Sequence, residues 1–161
     1  MMKKAIIIIV VVFLIIFAII GSVLMLFNKE KNSISSADFD TIMTQKEFSV
    51  RDATHQFSDF GYMKQVHFAT SVDESLQIDF YETKDDESAI RFFRQKREQM
   101  ELSKGNVSAQ TSAEFKNNAK FTLSSNGKYK VVSRINNTVI YVSADEVNKD
   151  TIKTILKEIG Y

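Results

Sequence analysis

AKFTLSSNGKYKVVSRINNTVIYV, residues 119–142, decides the fold. Ala119, Phe121 and Leu123 alternate with polar neighbours, the two-residue period of a strand with a buried face. Asn126-Gly127 supplies the two positive-φ residues of a tight hairpin turn, and Tyr129 to Arg134 returns as the next strand. Asn136-Asn137 makes a second turn before the β-rich Thr138 to Val142, so three strands form an antiparallel meander. Downstream, Val147, Ile152, Ile155, Leu156 and Ile159 crowd one side of a closing helix that ends at Gly160.

Upstream the same kinds of element recur. Leu76, Ile78 and Phe80 alternate with Gln77, Asp79 and Tyr81, while Val66 and Phe68 share a face, which predicts a hairpin joined through Ser71 to Glu74. Phe48 and Val50 mark a short strand, and Asp52 to Asp59 fits either a loop or a helical turn. Ser35 with Asp38 reads as a capping box that opens a short helix bearing Phe39, Ile42 and Met43. Thr83 with Asp86 reads as the start of a longer one, with Ala89, Phe92, Phe93 and Met100 as its stripe and Gly105 as a left-handed stop. The small, polar SKGNVSAQTSA at 103–113 reads as an exposed loop. The expected fold is α+β: an antiparallel sheet of two hairpin or meander units, packed by helices, with one buried face that leaves Tyr81 exposed.

A second stretch, AIIIIVVVFLIIFAIIGSVLMLF at 5–27, holds no charge over 23 residues. As a helix it would be roughly 34 Å long, against a hydrocarbon core of about 30 Å. It is too long and lacks the small residues wanted of a cleaved signal peptide, so the expectation is a single transmembrane signal-anchor within residues 1–27. Residues 28–36 then form a juxtamembrane linker, and 37–161 form one extracytoplasmic domain. Lys3 and Lys4 set the amino terminus in the cytoplasm under the positive-inside rule. Beyond Lys4 the chain carries 19 Lys+Arg against 20 Asp+Glu, no field suited to nucleic acid. Cysteine is absent, which removes disulfides, thiolate catalysis and Cys-based zinc sites.

The apolar amino-terminal segment, the ADFDTIM helix, the LQIDFYE strand running into DDESAIRFF, and the SSNGKYKVVSRINNTVIYVSA meander before a last helix together carry a resemblance. In this texture the chain resembles small, lipoprotein-like extracytoplasmic domains of Gram-positive bacteria. The resemblance covers nearly all of residues 35–161 and implies surface location and fold; it carries over no functional residue. The chain departs from such lipoproteins in having Asn28 and Ser33, and no Cys, where a lipid would be attached.

Chemistry-bearing patterns are few. His55 and His67 belong to no His-x-x-x-His or Glu-x-x-His pattern, and the five glycines stand singly, so neither a metal site nor a phosphate loop is expected, and no catalytic, cofactor-binding or metal residue is assigned. Asp52 and His55 can meet across a turn and recruit a serine, which gives a small envelope hydrolase as the alternative reading. Arg91, Arg94 and Arg97, with Lys96 beside them, can face anionic headgroups or a cell-wall polymer. Glu87, Glu98 and Glu101 stand four residues from those arginines, the spacing of a solvated, ion-paired face. The favoured reading is a noncatalytic binding or interaction module at the cell envelope, in contact with lipid through residues 5–27 and with an envelope protein or polymer through its domain.

Overall fold

The computed structural model of the chain describes residues 30–161, and its compact unit runs from Lys31 to Tyr161. In chain order the elements are α1 (Ser36–Gln45), β1 (Ser49–Asp52), a 3-10 turn (Thr54–Phe57), β2 (Met63–Thr70), β3 (Gln77–Thr83), α2 (Asp86–Leu102), β4 (Val107–Glu114), β5 (Asn118–Ser125), β6 (Lys128–Ile135), β7 (Thr138–Asp145), a second 3-10 turn (Glu146–Asn148) and α3 (Lys149–Glu158). The sheet order is β1-β2-β3-β7-β6-β5-β4, with every neighbouring pair antiparallel. The class is α+β.

Local chemistry accounts for the element ends. Ser35 caps α1 with a complete capping box, its side chain accepting from the Asp38 N–H and the Asp38 carboxylate accepting from the Ser35 N–H. Asp85, one residue before α2, accepts the Ser88 N–H at 2.7 Å, so the aspartate caps this helix and Thr83 remains in β3. Asn126 and Gly127 both have positive φ, as the β5–β6 hairpin turn requires.

The two hairpin and meander units join in one sheet through β3 and β7, which pair from Ile78↔Val142 to Glu82↔Thr138. The expected architecture needs two corrections. Both faces of that sheet are covered. Phe39 and Met43 of α1 and Ile152, Ile155 and Leu156 of α3 pack with Ile78, Phe80, Val131 and Ile140 on one face. Ala89, Phe92, Phe93 and Met100 of α2 pack with Val66, Tyr81, Phe121, Val132 and Val139 on the other. Tyr81 is therefore only 2% exposed, and β7, central in the sheet, buries neighbouring residues of both parities. The second correction concerns the membrane: among the described residues no helix is long and apolar enough to cross one. The longest, α2, has 17 residues and carries charges along its length, so the single-pass transmembrane signal-anchor is not among these elements. The segment on which that expectation falls, Ala5–Phe27, lies outside the described residues.

Two local readings also change. Residues 107–114 form β4 and not a loop; the strand pairs only with β5 and exposes residues 109–114, so no apolar alternation marks it. Gly105 is not in the left-handed region, and α2 stops at a Ser103 cap. A Cβ at Gly105 would lie 2.4 Å from the end of the Asn126 side chain, whose amide would have to shift to admit it.

Candidate functional site

Asp52 ends β1 and accepts the Thr54 N–H at 2.8 Å. Hydrogen bonds from Thr54 hold its carboxyl below the usual carboxylate range. The following 3-10 turn carries His55 outward; it is exposed, and among the described residues its imidazole makes no hydrogen bond to Asp52 or to a serine, Ser58 reaching only the His55 backbone carbonyl. The expected Asp52–His55 pairing is thus not made. His67, the cross-strand partner of Asp52, is the imidazole that meets a carboxylate: its Nδ1 lies 2.7 Å from Asp40 Oδ1 on α1. An ionised carboxylate only accepts, so Nδ1 is the donor. The other ring nitrogen, Nε2, is buried with no hydrogen-bond partner. His67 is 8% exposed beneath α1 and the Asp40 side chain is 38% exposed, so the pair opens to solvent on its carboxylate side and the imidazole is covered. No group of three or more His, Asp or Glu side chains among the described residues could hold a metal ion.

On the opposite face α2 divides its cations between water and the core. Arg91 pairs with Glu87 at 3.6 Å and Arg97 with Glu101 at 3.2 Å, both one helical turn apart, while Arg94 reaches Glu114 of β4 at 3.6 Å. Lys96 does not join them. Its ammonium lies over three rings, 5.0 Å from the centroid of Tyr141, 5.4 Å from Phe92 and 5.8 Å from Tyr81. Burial lowers its pKa, and the nearby Asp79 pulls it back up. Asp79 accepts from Gln77 Nε2 at 2.6 Å and from the Tyr81 hydroxyl at 3.1 Å. Burial still raises its carboxyl pKa, because desolvation outweighs those bonds and the attraction of Lys96.

Beside Lys96 the turn after β1 and α2 enclose a hollow of about 120 Å³, lined by Phe57, Phe60, Met63, Phe92, Gln95, Lys96 and Gln99. Phe57 packs edge-on against Tyr81 and Phe68, and Phe60, 45% exposed, forms the lip. Small-molecule sites typically begin near 300 Å³, so this hollow has the capacity of one apolar side chain. Of its lining residues Lys96 alone titrates, so the hollow holds no acid–base pair.

No family model matches the chain, and no curated protein matches it either. A solved structure described as a GTP binding regulator, from Thermotoga maritima, is similar at 17% identity with a TM-score of 0.46, over 82% of this chain and 95% of that one.

The sequence pattern sets Lys96 with the arginines and Tyr81 on a wet face. The signal that could have separated them was the helical position of Lys96, four residues after the apolar Phe92 and four before Met100. For His67 and Asp40 no sequence signal exists, since 27 residues and two elements separate them.

Proposed function

We propose that the domain is a noncatalytic binding or interaction module at the cell envelope, with residues 5–27 as its contact with lipid. The observation that carries the reading is the separation of His55, exposed and unpaired with a carboxylate, from His67, paired but sealed beneath α1. Hydrolysis of the kind open to Asp52, His55 and a serine needs those groups within hydrogen-bond reach of each other and of a substrate. An interaction module needs only a shaped surface, and the aromatic hollow beside Lys96 offers an anchor for one side chain. Placement at the envelope draws its support from the sequence: the resemblance carried by residues 35–161 and the uncharged run at 5–27.

The test is an activity screen of the full-length chain against ester, amide and glycoside substrates, beside His55→Ala and His67→Ala. No turnover above buffer is expected from any of the three. Turnover by the parent that either substitution abolishes overturns the proposal. Protease added to intact cells tests the placement: digestion of the domain is expected, and full protection overturns the envelope assignment.

A further inference from the structure

On the face that carries α1 and α3, the sheet continues past its helical cover. Ala109 and Thr111 of β4 and Lys120, Thr122 and Ser124 of β5 lie on one side of the strands, and with Tyr129 of β6 and Lys149 and Lys153 of α3 they line an open hollow of about 280 Å³. Three cations and four hydroxyls face this space, and no carboxylate lines it. Lys120 and Ser124, four residues apart on one strand, give the floor a length of roughly 14 Å.

The cations are placed by the fold. Lys149 stands 5.3 Å from the centroid of the Tyr129 ring and donates to Ser124 Oγ at 3.2 Å, which holds a half-buried ammonium at one end. At the other end Lys120, also half-buried, donates to Tyr161 O at 3.3 Å. Burial and the neighbouring Lys31 both lower the pKa of Lys120. Lys153 lies one helical turn from Lys149. Glu146 answers Lys149 at 3.4 Å and Asp150 answers Lys153 at 3.3 Å, both within the turn preceding each lysine and outside the lining. The Lys153–Asp150 pair is exposed and contributes little, so it yields readily to a stronger anion, while the Lys149–Glu146 pair is half-buried. Between the lysines, Thr111 and Thr122 hydroxyls lie 2.7 Å apart, and Tyr129 interacts with Thr122.

We propose that this hollow binds an anion bearing more than one phosphate group. Ammonium groups act as point charges for phosphate, hydroxyls donate to its remaining oxygens, and three lysines spread along a channel fit several negative charges better than one. The inference rests on the noncatalytic binding reading and gives it a ligand class. The phosphate can belong to a soluble polyphosphate or to lipid headgroups, which present the same chemistry.

The experiment is calorimetric titration of the full-length chain with inorganic tripolyphosphate and with orthophosphate, and sedimentation with phosphatidylglycerol or phosphatidylcholine vesicles. Each is repeated with Lys120→Gln, Lys149→Gln, Lys153→Gln and, as a control on the opposite face, Arg94→Gln. Saturable binding of tripolyphosphate, tighter than orthophosphate and weakened roughly tenfold by loss of Lys120 or Lys149 but not of Arg94, is the expected result. Weakening of phosphatidylglycerol binding alone by the same variants supports the site and assigns it to headgroups. Absence of both, or binding that none of the three lysine variants weakens, overturns the site and leaves the noncatalytic reading standing. Release of orthophosphate from bound tripolyphosphate would instead overturn the noncatalytic reading while keeping the site.

Discussion

His67 Nδ1 lies 2.7 Å from Asp40 Oδ1, a bond that fastens α1 onto β2 and leaves Nε2 of the same ring buried without a partner. The two halves of the imidazole therefore act in opposite directions. A partly exposed hydrogen bond to a charged group contributes about 1 kcal/mol or somewhat more, while a buried unsatisfied nitrogen costs about 1–3 kcal/mol. His67→Phe fills the same space and removes both. Its urea midpoint is expected to equal or exceed that of the parent, whereas His67→Ala, which leaves a cavity, is expected to lose about 2–3 kcal/mol. A His67→Phe protein as unstable as His67→Ala would contradict this account.

Asp79 gives the fold a pH dependence of known sign. Its carboxyl pKa is raised by burial, so the folded chain holds that proton more tightly than the unfolded chain does. The stabilisation is complete below the ordinary carboxylate value and is lost as pH rises through the raised one. Asp79→Asn is neutral throughout and escapes that loss. Urea unfolding is expected to give the two proteins similar stability near pH 4, with the variant gaining on the parent by pH 7; a constant difference across that range refutes the assignment.

Where apolar side chains report a single local period, the residues revealed the element: the capping box at Ser35 and the Asn126-Gly127 hairpin both occur as their sequence implies. What stayed hidden depends on partners distant in sequence. Phe80 and Tyr81 are adjacent and both buried, because one helix layer arrives from either side, and alternation cannot announce a second layer. β4 escaped for the opposite reason: as an exposed edge strand it buries too little to need apolar residues. The lysines of the proposed anion site come from β5 and α3, and their meeting is a product of topology alone.

Two glycines separate backbone freedom from space. Gly127 has φ +72° and no atom within 4 Å of the point a Cβ would occupy, so Gly127→Ala tests conformation without a clash. A loss of about 1 kcal/mol is expected from the positive φ. Gly61 has equal room and no positive φ, and Gly61→Ala is expected to be neutral or to gain up to about 1 kcal/mol by restricting the unfolded chain. Thermal melts check the pair: Gly127→Ala should melt below the parent, and Gly61→Ala at or above it.

Tyr81 is the most demanding test of the second helix layer. Its ring is 2% exposed beneath α2, packed 4.6 Å from Phe92 between centroids, and its hydroxyl donates to Asp79 at 3.1 Å. Burial, followed by the Asp79 charge and hydrogen bond, pushes its pKa far above the ordinary tyrosine value. The folded state thus keeps a proton that the unfolded chain gives up near pH 10, and its stabilising effect disappears as pH rises. Ionisation of Tyr81 is expected only together with unfolding, visible as a late tyrosinate absorbance step that coincides with loss of circular dichroism. Tyr81→Phe loses one hydrogen bond, about 1 kcal/mol at neutral pH, and leaves Asp79 one donor short. It also cannot ionise, so its stability deficit relative to the parent should shrink and then reverse as alkalinity increases. A Tyr81 that titrates like a free tyrosine in the folded chain would place it on an open face and remove α2 from above it.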